Sequence, residues 1–210
     1  MSLHLIIGDK LHSSWSLRGA LALDLAGAPY TEELIKLNQS DTRERLLEHS
    51  PTAKVPLLKT EHGTIADSMA IAEYLAEQFP DAGLWPKDTA ARAQARSACA
   101  QMHAGFFALR GNMPFDLSRD AALVPMPADV QTDIDRILAL WAECRAATAE
   151  SGPFLFGSVT LADAFFAPIA VRLRTYQVKV PALDEAYINT IYQWPAFKAW
   201  QKAGLEEIGQ

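Results

Sequence analysis

The sequence predicts an α/β domain with the element order βαβ-α-ββα, followed by an all-helical domain. Strand and helix patterns alternate over residues 1–80, and alanine-rich, helix-forming sequence begins at residue 89. Between the two, residues 81–88 have the proline- and glycine-containing composition of a linker. A length of 210 residues accommodates one or two domains, which agrees with this division.

The first three elements follow from apolar runs and from the residues that bound them. Residues 3–8 have the pattern of a buried strand, and Ser13 or Ser14 can cap the helix that follows. That helix is expected to stop at Gly27, because a glycine just past the last turn with a proline beyond it is a typical helix end. Residues 30–37 are expected to form a second strand parallel to the first, which completes a βαβ unit.

The remaining elements of the α/β domain are short. We expect a helix at residues 43–48 and a loop at residues 50–53. Strands at residues 57–60 and 64–66 flank a turn at His62-Gly63, and a helix over residues 68–79 follows them. The resulting order is thioredoxin-like.

The helical domain contains two further signals. A long helix is expected over residues 127–150, and residues 152–158 have the composition of a loop. Thr160-Leu161-Ala162-Asp163 has the pattern of a capping box, in which the threonine accepts from the N–H of the fourth residue while the aspartate reaches back. This box is expected to open an apolar helix over residues 164–173.

The composition excludes several classes of function. A net charge of −6 argues against a nucleic-acid partner, and no apolar run approaches the roughly 18 residues of a membrane span. No signal peptide is visible, and the histidines have no metal-ligand spacing. Cys99 and Cys144 are too few and too far apart for a disulfide framework or a metal site. We therefore expect a cytoplasmic protein that binds neither nucleic acid nor membrane.

Two motifs in the first domain point to a ligand. Val55-Pro56 cannot lie inside a central strand, because proline lacks an N–H for the ladder, so it favours a turn that leaves the backbone before it exposed. Asp67-Ser68 places a carboxylate and a hydroxyl at a helix N-terminus, where free N–H groups favour an anion. Together the two motifs predict a site for a small acidic peptide.

Val-Pro-x-Leu followed by Asp-Ser strongly resembles the glutathione site of the glutathione S-transferase family. Ser-Ser-Trp-Ser-Leu-Arg at residues 13–18 resembles the Ser-Ser-Cys-Ser-Trp-Arg motif of the zeta class, the maleylacetoacetate isomerases. The resemblance covers nearly the whole chain, including the box at residues 160–163. It implies glutathione as co-substrate without a metal, a small electrophile as second substrate, and a homodimer.

The resemblance also implies a role for each motif residue in binding glutathione. Val55 would bond the cysteinyl backbone through its main chain, beside a cis peptide bond at Pro56. Lys54 is a candidate partner for the glycine carboxylate, with a solvated loop lysine as the alternative. Asp67 would pair with the γ-glutamyl amino group and Ser68 with the γ-glutamyl carboxylate, and the alternative for this pair is a plain helix cap.

A serine is expected to activate the thiol. Alignment on Arg18 gives Ser13 the place of the zeta-class catalytic serine, with Ser14 and Ser16 as substitutes if the register slips. The alternative is that these serines only cap the helix. No cysteine occurs before Cys99, which argues against mixed-disulfide chemistry at this position.

The second substrate is expected to bind at the first helix of the helical domain. There His103, Phe106, Phe107 and Arg110 are expected to share one face at helical spacing. Arg110 or Arg18 could accept an acidic substrate bidentately. The alternative is a core stripe with a solvated arginine.

Three functions remain open on the sequence. The first is a serine-type glutathione transferase, the second a glutathione-dependent maleyl-type cis–trans isomerase, and the third a non-catalytic binding module of the same fold. Two departures weaken the isomerase hypothesis. Trp15 replaces the zeta-class cysteine, and Thr175 stands where that class has an arginine, with Arg174 one position early.

Overall fold

The computed structural model describes residues 2–148 and 151–208. The described residues form two compact units. The first unit comprises the described parts of Met1–Leu84 and Ala199–Gln210, and the second, the helical unit, lies within Trp85–Lys198.

The first unit contains a four-stranded mixed sheet, as the sequence predicts. Its strands are β1 (Leu3–Ile7), β2 (Tyr30–Leu34), β3 (Leu57–Thr60) and β4 (Gly63–Ala66), in the order β2-β1-β3-β4. Strand β1 pairs in parallel with β2 and antiparallel with β3, which in turn pairs antiparallel with β4. This confirms the βαβ-α-ββα order.

Strand β2 ends at Leu34, three residues before the predicted end at residue 37. The Ile35 N–H still donates to the Ile7 carbonyl at 2.9 Å. The Leu37 N–H, however, donates to Asp9 Oδ2 at 2.8 Å, so it bonds to a side chain instead of a carbonyl of the neighbouring strand. Periodicity does not reveal such a contact.

Three helices complete the α/β part of the first unit: α1 (Ser14–Ala26), α2 (Thr42–Leu47) and α3 (Ser68–Gln78). Helix α1 ends at Gly27 with φ 62°, a left-handed cap that glycine adopts without strain. Helices α1 and α3 pack against each other, and β1 is buried because it is an internal strand of the sheet. Four buried aliphatic residues join the sheet, the loop after β2 and α2 in one cluster, namely Ile6, Ile35, Leu46 and Leu57.

The remaining helices are α4 (Thr89–Ala104), α5 (Phe107–Asn112), α6 (Ala128–Ala146), α7 (Leu161–Thr175), α8 (Ala182–Gln193) and α9 (Pro195–Glu206). Helix α6 ends four residues before the predicted end at Glu150, and Glu150 itself lies outside the described residues. Helix α7 is buried along almost its whole length. The Trp141 ring packs edge-on against Phe166 and Tyr187, which fixes α6 on α7 and α8.

The predicted capping box at the start of α7 is present. The Asp163 carboxylate is fully buried and accepts from the Thr160 N–H at 2.8 Å, the Thr160 hydroxyl at 3.2 Å and the Leu155 N–H at 3.1 Å. A fourth donor, the Tyr187 hydroxyl on α8, lies 3.1 Å away. One carboxylate thus joins a helix start, the preceding loop and a second helix.

Candidate active site

The sheet brings the predicted site segments of the first unit to one edge. In the strand register Ile6 lies opposite Leu57, and Leu57 lies opposite Ala66. Since β3 runs against β1 and β4, the chain leaving β1, the chain entering β3 and the chain leaving β4 meet at this edge. The edge therefore gathers residues 8–13, 54–56 and 67–68, which hold all the predicted glutathione-site residues and the predicted thiol-activating Ser13.

Ser13 is the N-cap of α1, with extended backbone at φ −92° and ψ 91°. Its Oγ accepts from the Ser16 N–H at 3.2 Å, and its hydroxyl donates to Ser16 Oγ at 2.8 Å. Ser16 Oγ also accepts from the Gly8 N–H at 3.0 Å, so strand end and helix start are joined through these two hydroxyls. Capping and thiol activation are compatible, because rotation of the two hydroxyls frees the Ser13 proton for a ligand.

Ser14 is the first residue of α1 and is also buried. Among the described residues its hydroxyl makes no hydrogen bond. The Ser14 hydroxyl is therefore the alternative donor to a thiolate at this helix N-terminus. Unlike the Ser13 hydroxyl, it accepts no hydrogen bond from a backbone N–H of the described chain.

The Val55–Pro56 peptide bond is cis, as expected. Pro56 is buried, Val55 is half-buried, and Lys54 is exposed without an ion pair in the described part of the chain. A β-carbon placed on Gly19 of α1 would lie 3.2 Å from two carbons of the Pro56 ring. Gly19 thus allows α1 to approach this turn closely. A glycine inside a predicted helix is the sequence signal for such a close approach.

Asp67 and Ser68 form the start of α3. Asp67 has φ 90°, and its Oδ1 accepts from the Met69 N–H at 2.7 Å and the Ala70 N–H at 3.4 Å, so it is a helix cap. Ser68 is 1% exposed, and its Oγ is buried without a hydrogen-bond partner in the structure. A buried hydroxyl without a partner costs about 1–3 kcal/mol, which a ligand at this position would recover.

Arg18 is buried in the first unit, with its guanidinium 4.6 Å from the ring centroid of Trp15. Trp15 is the residue that the motif resemblance matches to the zeta-class cysteine. The tryptophan therefore covers Arg18, which argues against Arg18 as the residue that receives an acidic substrate.

The predicted shared face of His103, Phe106, Phe107 and Arg110 is wrong, because the helix is broken there. Helix α4 ends at Ala104, and Phe106 has a left-handed backbone at φ 58° before α5 begins. The start of α5 is stabilised from α6, where Asp133 Oδ2 accepts from the Leu109 N–H at 2.9 Å. Asp133 lies 24 residues from Leu109 in the sequence, so no local sequence pattern indicates this cap.

The four candidates have different environments in the helical unit. Arg110 donates to the carbonyls of His103 at 3.2 Å and Gly105 at 3.3 Å, so it closes the end of α4, and burial lowers its pKa. The His103 ring lies 6.4 Å from that of Phe165, and Phe106 is buried. Phe107, by contrast, is 75% exposed.

Arg172 is not among the residues that the motifs predict, although an arginine within the apolar helix α7 is a signal for a buried charge. Its Nε donates to the Met113 carbonyl at 2.8 Å and its Nη1 to the Pro168 carbonyl at 3.1 Å. It is 5% exposed and has no carboxylate partner among the described residues. Burial, with a smaller contribution from the positive charge of Arg110, lowers its pKa to about 10.

The two positions considered for the zeta-class arginine also differ. Thr175 is buried, and its Oγ1 has no partner in the structure. The Arg174 guanidinium lies 3.9 Å from the ring centroid of Tyr192. Of the two arginines in α7, Arg172 is buried and Arg174 is only partly buried, and Arg172 lies three residues before Thr175.

Two kinds of feature are absent from the described residues. None of their helices combines the length and the apolar character needed to cross a membrane. No three of their His, Cys, Asp and Glu side chains are grouped so that they could hold a metal ion. Cys99 and Cys144 are both buried, and neither forms a disulfide bond in the part of the chain that the structure describes.

The chain belongs to the glutathione S-transferase family. Residues 12–78 match the family model "Glutathione S-transferase, N-terminal domain", and residues 93–203 match "Glutathione S-transferase, C-terminal domain". This confirms the family and the fold predicted from the motifs.

Relatives of the chain include zeta-class enzymes. It is 27% identical to maleylpyruvate isomerase of a Ralstonia species over 80% of this chain and 84% of that one. It is 40% identical to a probable maleylacetoacetate isomerase of Caenorhabditis elegans, but the match spans only 40% of each chain.

Solved structures agree with these matches. A maleylpyruvate isomerase described as a bacterial zeta-class glutathione S-transferase superimposes with a TM-score of 0.74 at 25% identity, over 97% of this chain and 98% of that one. A glutathione transferase homologue from Burkholderia gl BGR1 with bound glutathione gives 0.77 at 24% identity, over 98% and 100%. Family membership and these relatives support a glutathione-dependent activity.

Proposed function

We propose that this protein is a serine-type glutathione transferase that ionises bound glutathione and adds its thiolate to a small electrophile. The observation that carries the proposal is the start of α3, where the buried Ser68 hydroxyl lacks a partner beside the Asp67 carboxylate. The carboxylate of a γ-glutamyl group can accept from the Ser68 hydroxyl, and its ammonium can pair with the Asp67 carboxylate. The N-terminus of α3 adds positive charge that favours the carboxylate.

Val55 and Lys54 bind the rest of the peptide in this proposal. The turn at Pro56 leaves the Val55 backbone at the sheet edge, where it can bond the cysteinyl residue as an added strand would. The exposed Lys54 ammonium is free to pair with the glycine carboxylate. Its contribution is small, because an ion pair in water is worth only about 0–1 kcal/mol.

Ser13 supplies the chemistry. A thiol with a pKa of about 8.5 is mostly protonated at neutral pH, so it is a weak nucleophile. A hydrogen bond from a hydroxyl to the thiolate is worth about 1.5–3 kcal/mol, which lowers the thiol pKa by one to two units. The N-terminus of α1, which Ser13 caps, favours the same negative charge. For the electrophile, we keep His103, Phe106, Phe107 and Arg110 of the helical unit as candidates.

A maleyl-type cis–trans isomerase is the second candidate. It is supported by the similarity to maleylpyruvate isomerase and by Arg172, a buried cation without a carboxylate partner in the described chain. In this reaction the thiolate adds to the double bond, the new single bond rotates, and the thiolate leaves again. Glutathione is therefore consumed in a transfer but regenerated in an isomerisation.

A panel of substrates with glutathione tests the proposal. We expect one thiol to be lost per product with activated aryl halides or epoxides, measured by thiol titration. Conversion of a maleyl diacid without thiol loss would favour the isomerase instead. No glutathione binding by calorimetry would support the non-catalytic module.

Ser68→Ala is expected to weaken glutathione binding about ten-fold or more without lowering the stability of the free protein. A hydrogen bond to a charged ligand is lost, but in the free protein only an unpartnered buried hydroxyl is removed. Calorimetry and thermal unfolding without ligand measure the two quantities.

Asp67→Ala serves as the matched comparison, because Asp67 also caps α3. This variant should weaken binding and also lower the free energy of unfolding by about 1 kcal/mol. Both variants should change turnover at saturation little, since the γ-glutamyl end is remote from the sulfur. Unchanged affinity in both would show that the pair is only a helix cap.

We also propose a homodimer in the cytoplasm, because members of the family usually pair across a two-fold axis. Sedimentation velocity at micromolar concentration in moderate salt should give twice the mass of the chain. A monomer under these conditions would contradict this expectation.

A further inference from the structure

The C-terminal part of the first unit contacts the segment that leads to Ser13. Trp200 of α9 is 6% exposed, and its indole Nε1–H donates to the Lys10 carbonyl at 3.0 Å. The Lys10 ammonium lies 5.3 Å from the centroid of the same indole and pairs with Glu32 of β2. Lys10 is therefore held at its backbone and at its side chain.

Glu207 extends this contact. Its Oε1 accepts from the Lys10 N–H at 3.1 Å, and its Oε2 accepts from the Leu11 N–H at 3.4 Å. The next two N–H groups, those of His12 and Ser13, donate to the Asp9 carbonyl at 3.3 and 2.8 Å. All four consecutive backbone N–H groups before α1 are thus bonded, two of them to one carboxylate from the other end of the chain.

The conformation of this turn determines where the Ser13 hydroxyl lies. Ser13 follows the turn directly and caps α1, so a displacement of the turn moves its Oγ relative to the sheet edge. Hydrogen bonds from N–H groups to a carboxylate are stronger than those between neutral groups, and here they close a segment without regular structure. Loss of the carboxylate would leave two turn amides to water and allow the turn to relax.

We propose that Glu207 is a positioning residue for thiol activation, which holds the turn at residues 9–13 so that Ser13 is aimed at the glutathione sulfur. This inference rests on the proposed function, because it assigns Glu207 an effect that acts through Ser13. Trp200 supports the same turn through the Lys10 carbonyl. Neither residue lies in the segments that bind the γ-glutamyl group.

The test is the pKa of bound glutathione, read from thiolate absorbance against pH. Glu207→Ala should raise this pKa and lower the rate at neutral pH about three- to ten-fold, with part of the rate recovered as the pH rises. The dissociation constant for glutathione should change less than two-fold. Glu207→Gln, which keeps one acceptor oxygen, should have a smaller effect on the pKa.

Two controls separate positioning from general effects. Glu77→Gln removes the same charge from an exposed residue of α3 that has no partner in the described chain, and it should leave the pKa unchanged. Trp200→Phe keeps the packing but removes the bond to Lys10, and it should shift the pKa in the same direction as Glu207→Ala. If Glu207→Ala fails to fold, the pKa of bound glutathione in Trp200→Phe and in Glu207→Gln still tests whether the turn positions Ser13.

A double-mutant cycle links Glu207 to Ser13. In a Ser13→Ala background Glu207→Ala should cause no further shift, because the two act as one unit. Equal shifts in both backgrounds would overturn the inference. If Ser13→Ala shifts the pKa but Glu207→Ala and Trp200→Phe do not, the inference fails and the proposed function stands. If Ser13→Ala itself has no effect, the inference fails because it acts through Ser13, and the proposed function then depends on whether another serine of the segment shifts the pKa.

Discussion

Replacing Asp163 with alanine is expected to lower the free energy of unfolding by about 3–5 kcal/mol. The substitution leaves the N–H groups of Thr160 and Leu155 buried without an acceptor, and it also removes the partner of the Tyr187 hydroxyl. Urea unfolding measures the loss, and Trp141, whose ring lies 4.7 Å from that of Tyr187, is a suitable fluorescent reporter.

Two variants show which part of Asp163 matters. Tyr187→Phe removes one donor and leaves the helix cap, so it should cost only about 1 kcal/mol. Asp163→Asn should be nearly as harmful as Asp163→Ala, because an amide N–H₂ in place of either oxygen would face the N–H of Leu155 or of Thr160. A loss below about 1 kcal/mol for Asp163→Ala would contradict the importance of this carboxylate.

The pH dependence of that loss follows from burial. Desolvation raises the pKa of Asp163 from its usual 3.8 to about 6, and its four hydrogen bonds oppose this rise only in part. The folded protein therefore binds the proton more tightly than the unfolded chain. Protonation of Asp163 stabilises the fold fully at a pH below the unfolded pKa, and this stabilisation is lost as the pH rises through about 6.

Comparison with Asp163→Ala isolates this contribution. The difference in the free energy of unfolding between the wild-type protein and Asp163→Ala should shrink by up to about 3 kcal/mol as the pH rises from the unfolded to the folded pKa of Asp163. Urea unfolding at several pH values across this window gives the trend. A difference that grows with pH would show that the four donors hold the carboxylate ionised.

Ser13→Ala is the second large effect that we expect. It should raise the pKa of bound glutathione by one to two units and lower the rate at neutral pH about ten-fold for each unit. Affinity for glutathione should change little, because the proposed binding contacts lie at residues 54–56 and 67–68. Thiolate absorbance of the complex against pH measures the shift directly.

Ser14→Ala is the matched control for this experiment. Both variants remove a hydroxyl from a buried residue at the start of α1, but only Ser13 caps the helix, so Ser13→Ala should also cost about 1 kcal/mol of stability. If Ser14→Ala shifts the thiol pKa and Ser13→Ala does not, the mechanism holds with a different donor. If neither of them nor Ser16→Ala shifts it, a serine does not activate the thiol.

The structure departs from the sequence predictions where a side chain distant in sequence replaces a local interaction. The break between α4 and α5 has an internal signal only in Gly105, whereas Asp133 supplies the cap that stabilises the new helix start. The early end of β2 depends in the same way on Asp9, which binds the Leu37 N–H. Neither contact follows from periodicity, because periodicity describes only neighbours along the chain.

The sequence by itself determined the family and the order of the elements, and it predicted the polar residues that we propose to bind glutathione. These follow from local rules, namely the glycine that ends α1, the proline at the start of β3 and the caps of α3 and α7. Only the tertiary structure decided that the Ser68 hydroxyl is buried without a partner and that Arg172 is an interior cation. It alone brought Glu207 to the Lys10 N–H across 197 residues, because the burial and pairing of a polar group depend on which distant segments pack around it.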